Sequence, residues 1–304
     1  MNETPTVVVI GSACRDLVDD DDRGWRLGGG ASYSAFALAQ LGLKVGALVV
    51  ADPLAAGSRE IQMLRDHGVD VEIVPGANGP IFINVETPTG RIQQTPQVSD
   101  PVDPAALPAA WRRAPAWMFG PVAAEVPAAW ADVPPPDALV ALGWQGMLRI
   151  LTPGGEVRHL SPGPSPIVRR ADLIGVGRDD IYASIGPAQL TALMHPGATL
   201  LFTDGVHGGN AYEVGEDGGV AATRHWHSIP IRDYVDAVGA GDTFLSGVFA
   251  ALVDPSLTST WTGPDPELRL GAACGSLVLE GPGLFGIPDH DAALRRLFGG
   301  DNPD

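Results

Sequence analysis

The sequence is poor in cysteine and in positive charge, and it contains no long apolar run. Cys14 and Cys274 are its only cysteines, too few for a disulfide framework or a four-thiolate metal site, so both are predicted to be small buried hydrophobic residues. Nineteen Lys and Arg against thirty-six Asp and Glu give a formal net charge of −17, which repels nucleic acid and anionic lipid. No run reaches the roughly 18 apolar residues of a membrane-spanning helix, and residues 1–5 lack the pattern of a secretion signal. We therefore expect a cytoplasmic protein that binds neither nucleic acid nor a membrane.

Two common nucleotide-binding motifs are also absent. A dinucleotide-binding domain needs G-x-G-x-x-G after its first strand, whereas Gly11-Ser12-Ala13 follows the first apolar run here. No G-x-x-x-x-G-K-S/T motif of a P-loop occurs in the chain. These absences exclude a dinucleotide oxidoreductase and a P-loop kinase.

Short apolar runs alternate with helical patterns along the chain. The β-branched run 6–10 predicts a strand buried on both faces, and an Ala-rich helix ending at Gly42 precedes a strand at 45–50. Further core strands are predicted at 69–74, 117–119, 138–142, 173–176 and 199–203. With 304 residues, 45% of them hydrophobic, the pattern predicts an α/β fold with a largely parallel central sheet, organised as a single domain over residues 1–304.

An antiparallel hairpin interrupts this alternation. The segments 81–86 and 91–94 flank Thr87-Pro88-Thr89-Gly90, whose proline and glycine favour a turn. We expect the hairpin 81–94 to lie outside the main sheet. Together with the segment 16–27 it is the candidate for a small β lid that excludes water from a reaction.

The most informative stretch is a glycine-rich loop that opens a helix, Asp236-Ala237-Val238-Gly239-Ala240-Gly241-Asp242-Thr243-Phe244. Glycines permit a tight turn with exposed N–H groups, and a helix N-terminus adds about half a positive charge, so this loop attracts phosphate. Asp242, in the first helical turn, would repel a bound phosphate. It therefore has either a chemical task, such as accepting the proton of an attacking hydroxyl, or the simpler task of capping the helix.

This stretch resembles the C-terminal signature of the ribokinase, or PfkB, family of small-molecule kinases, D-T/A-x-G-A-G-D-x-F, and matches all its fixed positions. The resemblance implies that Asp242 is the catalytic base and that Gly239, Ala240 and Gly241 form the anion hole around the γ-phosphate of ATP. It implies that Asp236 organises the loop or a nearby cation. It extends from Val7 to about Leu297 and implies a three-layer, Rossmann-like fold of the ribokinase type with a small β lid.

Residues near the N-terminus resemble the acceptor side of the same family. Asp16 stands where the family binds substrate hydroxyls; a solvated loop residue is the alternative from the residues alone. Gly28 and Gly29 resemble the family's N-terminal signature. Tyr33 replaces an Asn of ribokinase-like sugar kinases, which makes ribose doubtful and favours the branch that includes myo-inositol kinases and nucleoside kinases.

Two further segments are similar to that branch, G-P-x-x-x-E at 120–125 and Q-G-x-x-R at 145–149. Gln145 offers a donor and an acceptor, and Arg149 offers a rigid donor fork, so both are candidate contacts for a polyhydroxy substrate. The alternative is that Arg149 covers a strand edge or pairs with a surface carboxylate.

The donor side carries two resemblances. Thr203, Gly205 and Gly208 belong to a turn similar to the family's T-x-G-x-x-G near the ATP phosphates, although a tight turn between strands also explains it. The family's N-x-x-E element, which positions the hydration shell of Mg²⁺, aligns with Gly177 and Asp180, so the Asn is missing and the Glu is shortened. Asp180 is the candidate to hold a metal-bound water, with Asp179 as the alternative.

Taken together, these residues imply a kinase that uses ATP and Mg²⁺ to phosphorylate a hydroxyl of a small polyol, sugar or nucleoside, with an inositol-like or nucleoside acceptor favoured over ribose. A catalytically weak regulator that binds nucleotide on the same fold is the alternative, motivated by Gly177. Because family members can dimerise through their lids, a homodimer is an open alternative to a monomer.

Overall fold

The computed structural model describes residues 3–74, 77–87 and 90–299. Its strands, in chain order, are β1 (Val7–Ser12), β2 (Cys14–Leu17), β3 (Trp25–Gly28), β4 (Val45–Val50), β5 (Asp70–Ile73), β6 (Ile81–Thr87), β7 (Gly90–Gln97), β8 (Ala116–Gly120), β9 (Leu139–Gly143), β10 (Arg149–Ile150), β11 (Gly155–Glu156), β12 (Arg158–His159), β13 (Leu173–Gly177), β14 (Thr199–Thr203), β15 (Gly209–Val214) and β16 (Val220–Trp226). Its α-helices are α1 (Gly30–Gln40), α2 (Pro53–Ala56), α3 (Arg59–Asp66), α4 (Pro166–Arg170), α5 (Pro187–Thr191), α6 (Ala240–Val253), α7 (Pro266–Leu277) and α8 (His290–Leu297).

The central sheet has nine strands in the order β16-β15-β14-β13-β9-β8-β1-β4-β5. The seven strands from β14 to β5 are parallel, and β15 and β16 add an antiparallel edge. Every core strand predicted from the sequence lies in this sheet. The boundaries differ slightly: β1 continues through Gly11 and Ser12, because both residues still pair with β4.

Side chains on the two faces of the sheet belong to two separate cores. Along β1, Val7 and Val9 pack with helices α1, α3, α6, α7 and α8, whereas Val8 and Ile10 pack with α4, α5 and four buried tryptophans. Successive residues of a strand point to opposite faces, so a continuous apolar run serves both cores. The result is the predicted arrangement of three layers with a sheet between two layers of helices.

The order of the strands reverses between β1 and β8. From β1 the chain moves to β4 and β5 on one side, and then returns to β8, β9, β13 and β14 on the other. In open α/β sheets a crevice forms at such a switch point, outside the carboxyl ends of the strands, and ligands bind there. The fold therefore places the expected site above the ends of β1 and β8.

A second sheet of five strands, in the order β11-β7-β6-β2-β3, contains both lid candidates. The segment 16–27 contributes to β2 and β3, and 81–94 forms the hairpin of β6 and β7, which pair in antiparallel register up to Thr87 and Gly90. The predicted turn residues Pro88 and Thr89 lie outside the described residues. The sequence analysis missed β11, a strand of only two residues.

The single-domain organisation over 1–304 stays a prediction, and residues 1–2 and 300–304 lie outside the described part of the chain. Within that part, no helix is both long enough and apolar enough to cross a membrane.

Close packing of α6 on α7 depends on two glycines. A Cβ added to Gly247 would lie 2.8 Å from the Cα of Gly271. We expect Gly247→Val to lower the free energy of unfolding by about 1–3 kcal/mol, because the two helix backbones must separate. Urea unfolding measures this effect. Gly163→Val is the control, since a Cβ at Gly163 meets no atom within 4 Å, and an equal loss in both variants would contradict the packing argument.

Candidate active site

A cavity of about 380 Å³ opens at the carboxyl ends of the parallel strands. Asp16 and Phe82 line it from the second sheet, Gly143 and Thr203 line it from strand ends of the central sheet, and residues 237–242 line it from the loop that begins α6. The cavity therefore lies between the two sheets, where the strand order predicts a ligand site.

The glycine-rich loop has the conformation that an anion site requires. Gly239 is the residue preceding α6 and adopts the left-handed conformation, with φ 79°. A Cβ at Gly239 would overlap the ring of Tyr33, whereas a Cβ at Gly241 would meet nothing within 4 Å. Gly239 thus permits the turn to pack against Tyr33, and Gly241 keeps the space in front of the helix N-terminus open.

Asp236 holds this loop from behind. Its Oδ1 accepts a hydrogen bond from the N–H of Val238 at 2.9 Å, and its Oδ2 accepts one from the N–H of Gly283 at 3.3 Å. The cation beside it is the guanidinium of Arg26, with 3.7 Å between Nη1 and Oδ2. Asp236 does not line the cavity, and its hydrogen bonds fix the backbone of the loop.

Asp242 lies in the first turn of α6 and lines the cavity. Its Oδ1 lies above Gly30 and Gly143, 2.9 Å and 3.7 Å from the positions where their Cβ atoms would be. These glycines leave room for the carboxylate at the junction of the two sheets. Burial, and secondarily the negative charge of Asp180, raise the pKa of Asp242 to about 7, although Arg149 opposes the shift.

Asp16 is a buried residue of β2, with 7% of its surface exposed, and it lines the cavity. The Sγ of Cys14, which also lines the cavity, lies 3.6 Å from its Oδ1. A Cβ at Gly28 would overlap the Asp16 carboxylate. Gly28 therefore makes room for Asp16 and does not itself line the cavity, whereas Gly29 does line it.

Gln145 and Arg149 both line the cavity, but Gln145 is engaged by the protein. Its Nε2 donates to Oδ1 of Asp180 at 2.6 Å. Arg149 is nearly enclosed: burial lowers its pKa, while the charges of Asp180 and Asp242 oppose that shift. Its Nη1 lies 3.5 Å from the carbonyl oxygen of Val122. The arginine thus lies at the cavity, and its contact with a substrate stays a prediction.

Both carboxylate oxygens of Asp180 accept hydrogen bonds from the protein. Its Oδ2 accepts the N–H of Gly177 at 2.9 Å while its Oδ1 is held by Gln145. Asp179 and Asp180 both line the cavity. Across the described ranges, no three His, Cys, Asp or Glu side chains cluster closely enough to hold a metal ion. This donor set fits a Mg²⁺ ion that keeps most of its waters and does not fit a metal held directly by several side chains.

The residues predicted near the ATP phosphates do not all line the cavity. Thr203 and Gly205 line the cavity, and Gly208 does not. Gly208 adopts φ 83°, and a Cβ there would overlap the carbonyl oxygen of Trp226. Glycine is required at this position by the backbone, and a nucleotide contact at Gly208 stays a prediction.

The sequence analysis missed three lining residues of the hairpin. Phe82, Asn84 and Gln93 face the cavity, and Nε2 of Gln93 donates to Oδ1 of Asn84 at 2.8 Å. Phe82 and Asn84 are two residues apart in β6, so the period of a strand puts them on one face. That alternation was the available signal.

Comparisons with known proteins show which proteins this chain resembles. Residues 169–288 match the family model described as pfkB family carbohydrate kinase. A fructokinase of Klebsiella pneumoniae is 32% identical over 122 residues, which cover 40% of this chain and 36% of that relative. The chain thus aligns with only about a third of this curated relative's length.

Solved structures match over nearly the whole chain. A pyrophosphate-dependent kinase of the ribokinase family, complexed with a pyrophosphate analog and myo-inositol, has a TM-score of 0.71 at 17% identity and covers 94% of this chain and 98% of its own. Ribokinase of Arabidopsis thaliana, complexed with ribose and ATP, has a TM-score of 0.68 at 18% identity, with coverages of 97% and 99%. The predicted resemblance to the ribokinase/PfkB family and the predicted ribokinase-like fold are confirmed.

The two loop glycines provide a first test of this site. We expect Gly239→Ala to lower the midpoint of thermal unfolding by several degrees, because the added methyl group meets Tyr33 and the backbone has a positive φ. Gly241→Ala should leave that midpoint within about 2 °C of the wild type, since its methyl group enters open space. Equal destabilisation of both variants would contradict the loop geometry.

The raised pKa of Asp242 has a consequence for stability. Between its ordinary value of 3.8 and about 7, the folded state binds a proton that the unfolded state has released, so stability falls as the pH rises through this interval. Asp242→Asn removes the cost of the buried charge and should stabilise the ligand-free protein at pH 8 by on the order of 2 kcal/mol. The gain should vanish near pH 4. Thermal unfolding across this range measures it, and a gain independent of pH would contradict the raised pKa.

Proposed function

We propose that this chain, which resembles the ribokinase/PfkB family in sequence and in fold, is an ATP-dependent kinase that phosphorylates a hydroxyl of a small polyol, sugar or nucleoside. One observation carries the proposal: Asp242 lies in the cavity, one turn into the helix whose N-terminal loop is open to an anion, with a pKa raised to about 7. A base poised near neutral pH beside a phosphate site is the arrangement that phosphoryl transfer to an alcohol needs.

The acceptor would lie between the second sheet and the loop. Asp16, Asn84, Gln93 and Arg149 line that side of the cavity and offer both hydrogen-bond donors and acceptors. Such a set suits a molecule with several hydroxyl groups. We propose an inositol-like or nucleoside acceptor in preference to ribose, because the buried Tyr33 replaces an amide at this boundary.

Similar proteins define the panel of acceptors and donors to test. One solved structure holds myo-inositol and another is a nucleoside kinase of Methanocaldococcus jannaschii. The curated relatives are fructokinases. Fructose, ribose, inositols and nucleosides therefore belong in the panel, and pyrophosphate belongs beside ATP as a donor, since the donor of one of these structures is pyrophosphate.

The proposed mechanism assigns one step to each group. Asp242 takes the proton of the acceptor hydroxyl as that oxygen attacks the γ-phosphorus of ATP. The bond from this phosphorus to the β–γ bridging oxygen breaks, and ADP leaves with the electron pair. The N–H groups of residues 239–241 hold the phosphoryl oxygens, and Arg149 adds positive charge to the cavity. When bound, Mg²⁺ neutralises phosphate charge, and Asp180 would hold it through water. The second sheet, containing 16–27 and 81–94, acts as the lid that keeps water from competing with the acceptor.

A regulator that binds nucleotide without efficient catalysis is the second candidate. Gly177 motivates it, because at this position the chain offers Asp180 a backbone N–H and has no side-chain amide to orient a hydrated metal. The two candidates differ in one measurement. Thermal stabilisation by Mg-ATP without ADP release, over the whole acceptor panel, would favour the regulator.

Asp242→Asn tests the assigned base. We expect the variant to lose at least 10³-fold in kcat while its Kd for Mg-ATP stays within about threefold, because the proton acceptor is lost and the loop is kept. In the wild type, kcat/KM should rise with pH around a midpoint near 7, where Asp242 ionises. Coupled ADP release and calorimetry supply these values.

The matched control is Asp204→Asn, which removes another carboxylate that lines the cavity. It should keep kcat within about tenfold of the wild type. Residual turnover of Asp242→Asn equal to that of the control would sink the assignment.

A further inference from the structure

Arg26 of β3 lies between a cavity-lining carboxylate and the carboxylate that holds the glycine-rich loop. In the antiparallel pair of β2 and β3, Arg26 is the residue directly opposite Asp16. Directly opposed residues of such a pair point to the same face of the sheet. The carboxylate proposed to bind the acceptor and this guanidinium are therefore neighbours on one strand pair.

The guanidinium of Arg26 approaches the glycine-rich loop, called the phosphate loop below, on the side occupied by Asp236. Its Nη1 lies 3.7 Å from Oδ2 of Asp236, and its stem lies beside Gly283, 3.7 Å from the position of an added Cβ. Asp236 in turn accepts hydrogen bonds from the N–H groups of Val238 and Gly283. The side chains of Arg26 and Asp236 are 19% and 16% exposed, so their interaction is only partly screened by water.

Arg26 has a second carboxylate partner, which lies on the surface. Nη2 donates to Oδ2 of Asp20 at 2.6 Å, but the Asp20 side chain is 71% exposed. Exposed ion pairs contribute little to stability. Asp236 is the more buried of the two carboxylates and the one that holds the loop, so it is the partner through which an effect of Arg26 on the loop would pass.

The electrostatics of the loop require such a cation. Asp236 fixes the backbone that presents N–H groups to phosphate, yet its own negative charge lies behind a site that must attract an anion. A positive charge beside Asp236 cancels most of its repulsion at the distance of the phosphate. Without Arg26, the loop would keep its hydrogen bonds and lose part of its attraction for phosphate.

We infer that Arg26 is a positioning residue that neutralises Asp236 behind the phosphate loop and couples the loop to acceptor binding through its strand partner Asp16. The inference rests on the proposed kinase function. A displacement of β2 when the acceptor binds Asp16 moves β3 in register, and with it the guanidinium that balances the loop. The acceptor thereby strengthens the hold of the loop on the donor.

Donor binding is the direct test. Calorimetry on Asp242→Asn proteins, which do not turn over, gives the Kd of Mg-ATP with and without the best acceptor from the panel. We expect the acceptor to tighten Mg-ATP binding by at least fivefold when Arg26 is present. Adding Arg26→Gln should weaken Mg-ATP binding 10- to 100-fold and reduce the effect of the acceptor to less than twofold.

Three further variants distinguish a charge-dependent positioning role of Arg26 from a role in packing alone. Arg26→Lys keeps the charge and should recover most of the affinity, and millimolar guanidinium should partly restore Mg-ATP binding to Arg26→Ala. Asp20→Asn, which removes only the exposed partner, should bind Mg-ATP within twofold of the Asp242→Asn parent. These readouts depend on the cation and would not follow from loss of packing.

Two results would overturn the inference. One is unchanged Mg-ATP affinity in Arg26→Gln; the other is equal loss in Arg26→Gln and Arg26→Lys with a matching fall in thermal midpoint and no rescue by guanidinium. Failure of the kinase proposal gives a different result, namely no turnover of any acceptor by the wild type. In that case Mg-ATP binding without acceptor still tests the role of Arg26.

Discussion

The rest of this site depends on one electrostatic conflict: the carboxylate of Asp242 lies beside a helix end that attracts anions. The N-terminal end of α6 favours an anion, and Asp242 is one turn inside the same helix. The conflict is reduced because burial and Asp180 shift the carboxyl toward its protonated form near neutral pH. The same shift gives the group the affinity for a proton that a base in phosphoryl transfer requires. The surrounding glycines, Gly30 and Gly143, provide the space in which this carboxyl is kept.

The position of the site follows from the sheet. Parallel strands end at one edge, and the order of strands reverses between β1 and β8, so the crevice above them collects residues from distant parts of the chain. Asp16 and Asp242 are separated by most of the sequence and still line one cavity. The second sheet closes that crevice with polar side chains, which is why it can serve both as a cover and as a set of hydrogen-bonding groups.

Local patterns predicted what depends on local chemistry. The strands could be predicted because each contributes side chains to two cores and must therefore be apolar throughout. The glycine-rich loop could be predicted because its residues stand at fixed spacing in the sequence. Asp16, Gly29, Tyr33, Gln145, Arg149, Asp180 and Asp242 were all placed at the cavity from the sequence, and the structure brings them there. Gly28, Gly208 and Asp236 were also predicted to be site residues, and they do not line the cavity. Whether a glycine faces a ligand or a neighbouring backbone depends on contacts with residues far away in the sequence, such as that between Gly208 and Trp226. The sequence of one segment does not reveal these contacts. The hydrogen bond between Gln145 and Asp180 could not be predicted for the same reason, since thirty-five residues separate them in the sequence.

The contact of Gly239 with the ring of Tyr33 joins two features that sequence comparison treats separately. The tyrosine is the residue on which the proposed acceptor preference rests, and the glycine belongs to the loop proposed to hold phosphate. A smaller residue at position 33 would leave a void beneath the loop, and a larger one would push it outward. Evolution or engineering of acceptor choice at this position must therefore proceed in pairs, with each exchange at the tyrosine accompanied by an adjustment in the loop above it.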